Sequence, residues 1–197
     1  GEGSVEIMTI HKSKGLEFPI VILAGMGKQF NMQDLNARLL IHPDYGLGAD
    51  AILPDRRMIV STLYKQVIRR KLLEETLGEE IRVLYVALTR AKEKLIMTGT
   101  IGNLEKRLLS LYRFRENEQE LLPAETRLNG KTYWDYVLPA LARHRCMAPL
   151  FHEYGIFMNT ANPLYKDPAE FKVTRVTARE LTESEVMEQA EREMKKE

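Results

Sequence analysis

Two short segments of this 197-residue chain combine residue types that suit phosphate and nucleic-acid chemistry. The first, MTIHKSKGLEF (8–18), contains a threonine, a histidine, two lysines, a glycine and a glutamate. Threonine and histidine can donate to phosphate oxygens, lysines add positive charge, and a carboxylate accepts hydrogen bonds from a sugar hydroxyl. The glycine lets the backbone approach a ligand or adopt a positive φ angle. A solvated turn between two strands would have the same composition, so both interpretations stay open for this segment alone.

The second segment, EEIRVLYVALTRAKEKLIM (79–97), places Arg90 between a helical pattern and an apolar run. An arginine there presents a planar fork of donors that suits a terminal phosphate, and such an arginine stabilises the transition state of phosphoryl transfer. The alternative is a structural arginine that interacts favourably with the negative end of the helix dipole. Arg82 and Glu79 are likewise compatible with an ordinary surface ion pair.

The order of elements around the two segments predicts an α/β fold with a parallel sheet. VEIMTIH (5–11) alternates between apolar and polar residues and is rich in β-branched side chains, which predicts a strand. FPIVILAGM (18–26) is a nearly unbroken apolar run, which predicts a strand buried on both faces. Ligands gather beyond the carboxyl ends of strands in open α/β sheets, so we expect a site where the first strand ends, near His11.

Helical patterns occupy much of the remaining chain. Residues 62–93 predict two helices separated at Gly78, and KLIMTGT (94–100) predicts another buried strand. Residues 31–61 predict a loop with short strands. The later part of the chain predicts two amphipathic helices, a strand, and an exposed helix or charged linker: LEKRLLSLYRFR (104–115), YWDYVLPALARH (133–144), EFKVTRVT (170–177) and 178–197.

The bulk composition is that of a globular protein, with 44% hydrophobic and 29% charged residues. The net charge of +1 neither demands nor excludes a nucleic-acid partner. One cysteine, Cys146, excludes an internal disulfide and fits a reducing compartment. We expect neither a membrane span nor a secretory signal. The chain starts with Gly1 rather than Met, which leads us to expect a piece of a longer protein.

Two glycine-lysine pairs do not meet the requirements of a phosphate-binding P-loop. GMGKQ (25–29) lacks the Ser or Thr that holds magnesium, and GKT (130–132) lacks the first glycine of the motif. The four histidines are scattered and form no short-spaced cluster with cysteines or carboxylates, so we predict no metal site.

Together the two segments resemble a known family. IMTIHKSKGLEFPIVIL (7–23) resembles motif V of the UvrD/Rep/RecB class of superfamily 1 DNA helicases, and EEIRVLYVALTRAKEKL (79–95) resembles their motif VI. The motifs stand in the family's order, and an apolar run follows each of them. KGLEFPIVILAGMGKQFNMQDLN (14–36) and YWDYVLPALARH (133–144) are also similar to the AddA family of helicase-nuclease subunits. The resemblance covers about Val5 to His144.

The resemblance implies a nucleotide site. In this family ATP lies between two RecA-like motor domains, and this chain resembles the later part of the second. Arg90 would then contact the γ-phosphate as an arginine finger, and Glu17 would bind the ribose. Lys14 would face the nucleotide cleft, and Gly15 and Leu16 would shape the loop beneath the nucleotide.

The resemblance also implies a DNA-binding surface. Thr9 and His11 would contact the backbone of single-stranded DNA, and Arg82 and Tyr85 would help to hold the motif VI helix against the cleft. Because one loop would carry DNA-facing and ATP-facing groups, closure of the cleft on ATP would shift the grip on DNA. Loss of the γ-phosphate contact after hydrolysis would let the cleft reopen.

Several parts of such an enzyme are not visible in this sequence. They are the Walker A lysine, the acidic magnesium-binding motif, the base that activates water, and the Asp and Glu-x-Lys nuclease motif. The resemblance implies that they lie elsewhere in a longer protein, so the cofactor would be ATP with Mg²⁺, whose metal ligands lie outside this chain. We therefore expect the chain alone to be inactive.

The resemblance predicts three regions: the C-terminal part of RecA-like (P-loop NTPase-type) helicase domain 2 at 1–101, a mostly helical extension at 102–172, and a charged linker or helix toward a nuclease domain at 173–197. The implied function is that of a piece of an ATP-dependent 3′–5′ DNA helicase/exonuclease, acting in double-strand-break repair and recombination in the bacterial cytoplasm. Its partners would be single- and double-stranded DNA and an AddB-like subunit, without a membrane. A UvrD/PcrA-type repair helicase and a non-catalytic interaction module are the alternatives.

Overall fold

The computed structural model describes residues 4–184. Its strands and helices have a mixed α/β arrangement, as predicted, and helices predominate after residue 100. In chain order they are β1 (Phe18–Leu23), β2 (Leu39–His42), β3 (Gly46–Leu53), β4 (Met58–Ser61), α1 (Leu63–Leu88), β5 (Ala91–Met97), α2 (Leu104–Tyr112), α3 (Ala124–Leu128), α4 (Trp134–Leu141) and α5 (Ala148–Glu153). Short 3₁₀ turns lie at Gln33–Asn36, Pro54–Arg56, Arg145–Met147 and Pro163–Lys166.

Strands β1 and β5 pair in parallel, as the sequence predicts. The register is irregular next to Pro19, which lacks the N–H that a regular ladder would use. One face of the pair packs on α1, where Leu23 contributes to a buried cluster with Leu84. The prediction that β1 is buried on both faces is wrong, because Ile20 and Ile22 are 56% and 62% exposed. Within the described residues, their side of the pair is largely exposed.

The predicted strand at VEIMTIH (5–11) is wrong. Residues 4–9 have no regular secondary structure and residues 10–15 form a turn. Val5 and Ile7 are 89% and 94% exposed. A strand needs a neighbour to satisfy its backbone groups, and the described part of the chain places no strand beside this segment. Alternation of residue types therefore predicted a strand whose pairing partner is not among residues 4–184.

Helix α1 is continuous for 26 residues, so the predicted break at Gly78 is wrong. The Thr62 side chain accepts a hydrogen bond from the Lys65 N–H and caps the start of the helix. Glycine costs about 1 kcal/mol in a helix interior, which burial of residues such as Leu77 and Leu84 outweighs. The helix ends at Leu88. Strand β5 starts at Ala91, three residues before the start at Lys94 that the apolar run predicts.

Replacing Gly78 by alanine is expected to raise the free energy of unfolding by about 0.5–1 kcal/mol, because alanine loses less backbone entropy in a helix. A β-carbon built at Gly78 meets no atom within 4 Å outside the local helix backbone. Urea unfolding of the 197-residue chain would measure the change. In the matched variant Gly48→Ala, the added carbon would lie 2.8 Å from the Lys65 Cα, so this variant is expected to be less stable. A destabilised Gly78→Ala chain would contradict the prediction.

Strands β2, β3 and β4 form an antiparallel sheet, which confirms the predicted short strands at 31–61. One face packs on α1 through Leu40, Gly48 and the ion pair between Asp50 and Lys65 (2.7 Å). His42 is buried on this face; its Nε2 lies 3.2 Å from Glu75 Oε1, and its Nδ1 accepts from backbone N–H groups. By the strand register, the other face carries the apolar residues Leu39, Ile41, Leu47, Ala49, Ala51, Leu53, Met58 and Val60.

Helices α2, α4 and α5 enclose a second hydrophobic core, and α2 and α4 confirm the two predicted amphipathic helices. Leu108, Met147 and Phe151 lie at its centre with exposures of 2% or less. The predicted strand at EFKVTRVT (170–177) is wrong: these residues have no regular structure and are exposed, so they lack the pairing that a strand requires. Residues 178–184 are helical, and the rest of the predicted linker, 185–197, lies outside the described residues.

No helix among residues 4–184 combines the length and the apolar composition of a membrane span. The division of the chain at residues 101 and 172 stays a prediction.

Candidate functional site

Arg90 lies in the two-residue connection between α1 and β5, and its side chain donates three hydrogen bonds. Nε donates to the Val86 carbonyl (2.9 Å), Nη1 to the Leu16 carbonyl (2.9 Å) and Nη2 to Thr89 Oγ1 (3.0 Å). The bond to Val86 satisfies a carbonyl at the end of the helix, as the structural alternative for this arginine predicts. The bond to Leu16 joins the arginine to the loop at 8–18. Arg90 therefore connects the two segments that the sequence singles out.

The loop itself is a compact turn built around Ser13. Its Oγ donates to the Ile10 carbonyl (2.7 Å), its N–H donates to the same carbonyl (3.1 Å), and its own carbonyl accepts from the Leu16 N–H (3.0 Å). Ser13 is 7% exposed. Gly15 has φ +82°, in the left-handed region that favours glycine. Ser13 was not among the predicted site residues, although a serine side chain often forms a hydrogen bond with nearby backbone groups in turns.

Glu17 is held between two contacts of Arg90. The Arg90 side chain binds the carbonyl of Leu16, and the Arg90 carbonyl accepts from the N–H of Phe18 (3.0 Å). The peptide groups on both sides of Glu17 are thus tied to one residue. The Glu17 carboxylate lies 3.2 Å from Lys92 Nζ, and both side chains are more than half exposed. The structure therefore brings together Glu17 and Arg90, the two residues on which the predicted nucleotide site depends.

The predicted DNA-facing residues lie at the opposite end of the same turn. Thr9 and His11 are exposed, and Thr9 Oγ1 accepts from the Lys12 N–H (3.3 Å). Within residues 4–184, no hydrogen bond joins either of them directly to Glu17 or Arg90. An indirect path exists through the backbone, because Ser13 N–H donates to the Thr9 carbonyl (3.3 Å) and the Ser13 carbonyl accepts from Leu16. Lys14 is exposed in the turn.

These residues meet at the amino ends of β1 and β5. Phe18 and Ala91 start the two strands and are paired across them, and parallel strands start at the same edge of a sheet. The loop before β1 and Arg90 before β5 are consequently neighbours. The strand predicted before His11 does not form in the described residues, so the candidate residues do not lie at the carboxyl end of such a strand.

Arg82 and Tyr85 lie on the exposed face of α1. Arg82 pairs with Glu79 in the same helix, as the surface ion-pair interpretation predicts. Their role in holding this helix against a cleft stays a prediction. Thr89 and Lys92 were also not among the predicted site residues. Thr89 bonds to Arg90 and Lys92 pairs with Glu17, and both lie within two residues of Arg90 in the chain.

The described residues contain no group of three or more His, Cys, Asp or Glu side chains that could hold a metal ion.

Strongly raised pKa values belong to buried groups of the helical region. Burial raises the pKa of Tyr133, whose hydroxyl donates to Glu80 Oε2 (2.6 Å), and burial raises the pKa of Tyr136 to about 12. Burial likewise raises the pKa of the Cys146 thiol to about 11. The Arg90 side chain is half-buried and the Glu17 side chain is exposed, so polar groups of both residues are open to solvent.

Comparison with known proteins places these observations in a family. A sequence profile described as the UvrD-like helicase C-terminal domain matches residues 2–101, which is just over half of the chain. The chain is 43% identical over 187 residues to an ATP-dependent helicase/nuclease subunit of Clostridium botulinum (strain Loch Maree / Type A3), covering 95% of this chain. It is 47% identical over 173 residues, or 88% of this chain, to the protein of the same name from Oceanobacillus iheyensis. The chain spans 14% of the length of each of these curated relatives.

Proposed function

Since the chain belongs to the UvrD-like helicase C-terminal domain family, we propose that it is part of a longer ATP-dependent DNA helicase/nuclease subunit. This part couples the hydrolysis of ATP to movement of the protein along DNA. In this proposal residues 1–101 are the later part of a second RecA-like motor domain, and 102–172 are a helical extension of it. The observation that carries the proposal is the pair of hydrogen bonds that Arg90 forms with the residues on both sides of Glu17, one with the Leu16 carbonyl and one with the Phe18 N–H.

The geometry around Arg90 fits a triphosphate. A guanidinium has five N–H groups, and Arg90 uses one on each of its three nitrogens for protein contacts. One N–H therefore remains on each terminal nitrogen, and this pair suits two oxygens of a γ-phosphate. The exposed Glu17 carboxylate accepts hydrogen bonds from the ribose hydroxyls after it separates from Lys92. No atom lies within 4 Å of a β-carbon position at Gly15, so the nucleotide can approach the backbone closely there. Lys14 adds positive charge beside the nucleotide.

Magnesium accompanies ATP in the proposed reaction and would stabilise the charge of its phosphates. We assign the metal ligands to parts of the longer protein outside this chain. Residues 4–184 contain no group of three or more His, Cys, Asp or Glu side chains that could hold a metal ion. The residues of this chain bind and orient the nucleotide, and Arg90 stabilises the charge that develops on the transferred phosphoryl group. The chain alone is not expected to hydrolyse ATP.

The hydrogen bond between Arg90 and the Leu16 carbonyl also affects the DNA-facing half of the loop. Thr9 and His11 bind the phosphates of single-stranded DNA, and the backbone bonds of Ser13 transmit a displacement of Leu16 to Thr9. Closure on ATP thus shifts the contacts with DNA, hydrolysis reverses the shift, and repeated cycles move the motor along one strand. The resemblance to the family assigns this movement the 3′-to-5′ direction. The longer protein then acts on double-stranded DNA with an AddB-like subunit, in break repair and recombination in the bacterial cytoplasm.

Replacing Glu17 by alanine in the full-length protein is expected to raise the KM for ATP about tenfold and to leave kcat within about twofold. The loss of a hydrogen bond to the ribose weakens ground-state and transition-state binding equally, which accounts for this pattern. The same variant should no longer prefer ATP over analogues that lack a ribose hydroxyl. Steady-state ATPase kinetics with ATP, 2′-deoxyATP and 3′-deoxyATP would measure both effects.

Lys92→Ala is the matched control for Glu17, because it removes the partner of the carboxylate and keeps the carboxylate itself. This control variant is expected to have an unchanged or lower KM for ATP, since Glu17 no longer has to leave Lys92. An unchanged KM in Glu17→Ala would contradict the ribose contact. A rise in KM that is equal for both variants would show that the ion pair, and not the carboxylate, matters for nucleotide binding.

A further inference from the structure

Thr89 occupies the C-cap position of α1, directly before Arg90. Its backbone N–H donates to the Tyr85 carbonyl (3.1 Å). Its hydroxyl lies 3.0 Å from the Tyr85 carbonyl and 3.1 Å from the Val86 carbonyl. A hydroxyl has one hydrogen to donate, and both acceptors lie on the final turn of the helix. The Thr89 hydroxyl is therefore oriented by the end of α1, and its β-branched side chain has few other rotamers available.

The oxygen of that hydroxyl accepts the hydrogen bond from Arg90 Nη2 (3.0 Å). Since the hydroxyl hydrogen points to a helix carbonyl, a lone pair is available to the guanidinium. The adjacent residues Thr89 and Arg90 of the second motif thus place a hydroxyl acceptor, with a defined orientation, next to the guanidinium.

The three acceptors of Arg90 belong to two different parts of the fold. Val86 and Thr89 are on the end of α1, whereas Leu16 is on the loop that the proposed function places between ATP and DNA. When that loop shifts, the contact with Leu16 changes, and only the two helix acceptors keep the guanidinium in a fixed orientation. One of these acceptors is a main-chain carbonyl, so the Thr89 hydroxyl is the one that substitution can remove.

We infer that Thr89 is a positioning residue, whose hydroxyl holds the Arg90 guanidinium with its remaining N–H groups directed at a phosphate. The inference rests on the proposed function, because it needs Arg90 to act on the γ-phosphate. Thr89 itself touches no nucleotide in this account and acts only through the orientation of Arg90. Removal of its hydroxyl therefore affects the step in which Arg90 stabilises charge more than it affects the binding of ATP.

The test compares DNA-stimulated ATPase rates of the full-length protein. Thr89→Val keeps the shape and removes the acceptor, and it is expected to lower kcat about tenfold with KM within about twofold. Thr89→Ser restores the hydroxyl and is expected to recover kcat to within about twofold of wild type. Thr76→Val is the matched control, because Thr76 donates to the Leu72 carbonyl (2.8 Å) in the same helix, with no arginine bond. Its kcat is expected to equal that of wild type.

A double-mutant cycle separates positioning from a general structural role. In the Arg90→Ala background, Thr89→Val is expected to cause no further loss, because the group that it positions is gone. A wild-type kcat for Thr89→Val would overturn the inference, and so would an equal fractional loss with and without Arg90. If Thr89→Val does not fold, Thr89→Ala removes the same hydroxyl and is judged by the same two outcomes.

The failure of this inference is distinguishable from the failure of the proposed function. An Arg90→Ala protein that hydrolyses ATP at the wild-type rate would overturn both. An inactive Arg90→Ala protein, combined with wild-type kinetics for Thr89→Val, would overturn only the role of Thr89.

Discussion

Replacing Arg90 by alanine in the full-length protein is expected to lower DNA-stimulated ATPase activity about a thousandfold, the typical contribution of an arginine finger. The affinity for single-stranded DNA without nucleotide is expected to stay within about threefold, because Thr9 and His11 bear no direct bond to Arg90 and the path through Ser13 acts when ATP closes the cleft. The ATPase rate falls because two N–H groups of Arg90, one on each terminal nitrogen, are not used by Val86, Leu16 and Thr89 and are the groups that would bind the γ-phosphate. Steady-state kinetics and fluorescence anisotropy with labelled oligonucleotides would measure the two quantities.

The control variants separate charge from geometry. Arg90→Lys keeps the positive charge but has no planar fork, so it cannot hold the helix and the loop while it binds a phosphate, and it is expected to recover only a small part of the activity. Arg70→Ala removes an arginine of α1, where it pairs with Glu74 (2.9 Å), and is expected to leave the ATPase rate unchanged. Wild-type activity in Arg90→Ala would contradict the arginine-finger role and favour the non-catalytic interaction module.

Replacing Gly99 by alanine is expected to lower the free energy of unfolding by about 3 kcal/mol. A β-carbon at this position would lie 2.8 Å from the backbone nitrogen of Gly27 and 2.6 Å from Nε1 of Trp134. The loops that follow β1 and β5 approach each other closely here, and Trp134 of α4 packs against both. The added methyl group must therefore separate the strand pair from the helical region, which circular dichroism during urea unfolding would report.

Gly102→Ala is the matched control in the same loop, because an added β-carbon at Gly102 meets nothing within 4 Å. Its free energy of unfolding is expected to stay within about 0.5 kcal/mol of the wild-type value. Equal stability of the Gly99 and Gly102 variants would show that the close approach at Gly99 relaxes without cost. Loss of stability in both would indicate that the loop requires glycine for its backbone conformation.

Local sequence patterns predicted most of the elements that pack within the described chain. The apolar run after Phe18, the short strands at 31–61 and the helices at 104–115 and 133–144 all form near their predicted positions. In each case the periodicity and the turn residues express a local preference that the surrounding packing supports.

The wrong predictions have a common cause, which is that a local preference competes with contacts from distant residues. The segment 5–11 has the composition of a strand, but no described strand lies beside it to satisfy its backbone groups. Gly78 favours a helix end, but burial of its neighbours on the same helix extends the helix through it. Neither a missing neighbour nor a buried face can be read from a short window of sequence.

The types of group at the candidate site, and the family to which the chain belongs, follow from the sequence by itself, because motif residues and their spacing are local properties. Only the tertiary structure decided that Arg90 contacts Leu16, 74 residues away, and ties both peptide groups beside Glu17. It also placed the candidate residues at the amino ends of β1 and β5 rather than beyond a first strand. The physical reason is parallel pairing: strands that run in the same direction start at one edge, so the segments that precede them become neighbours.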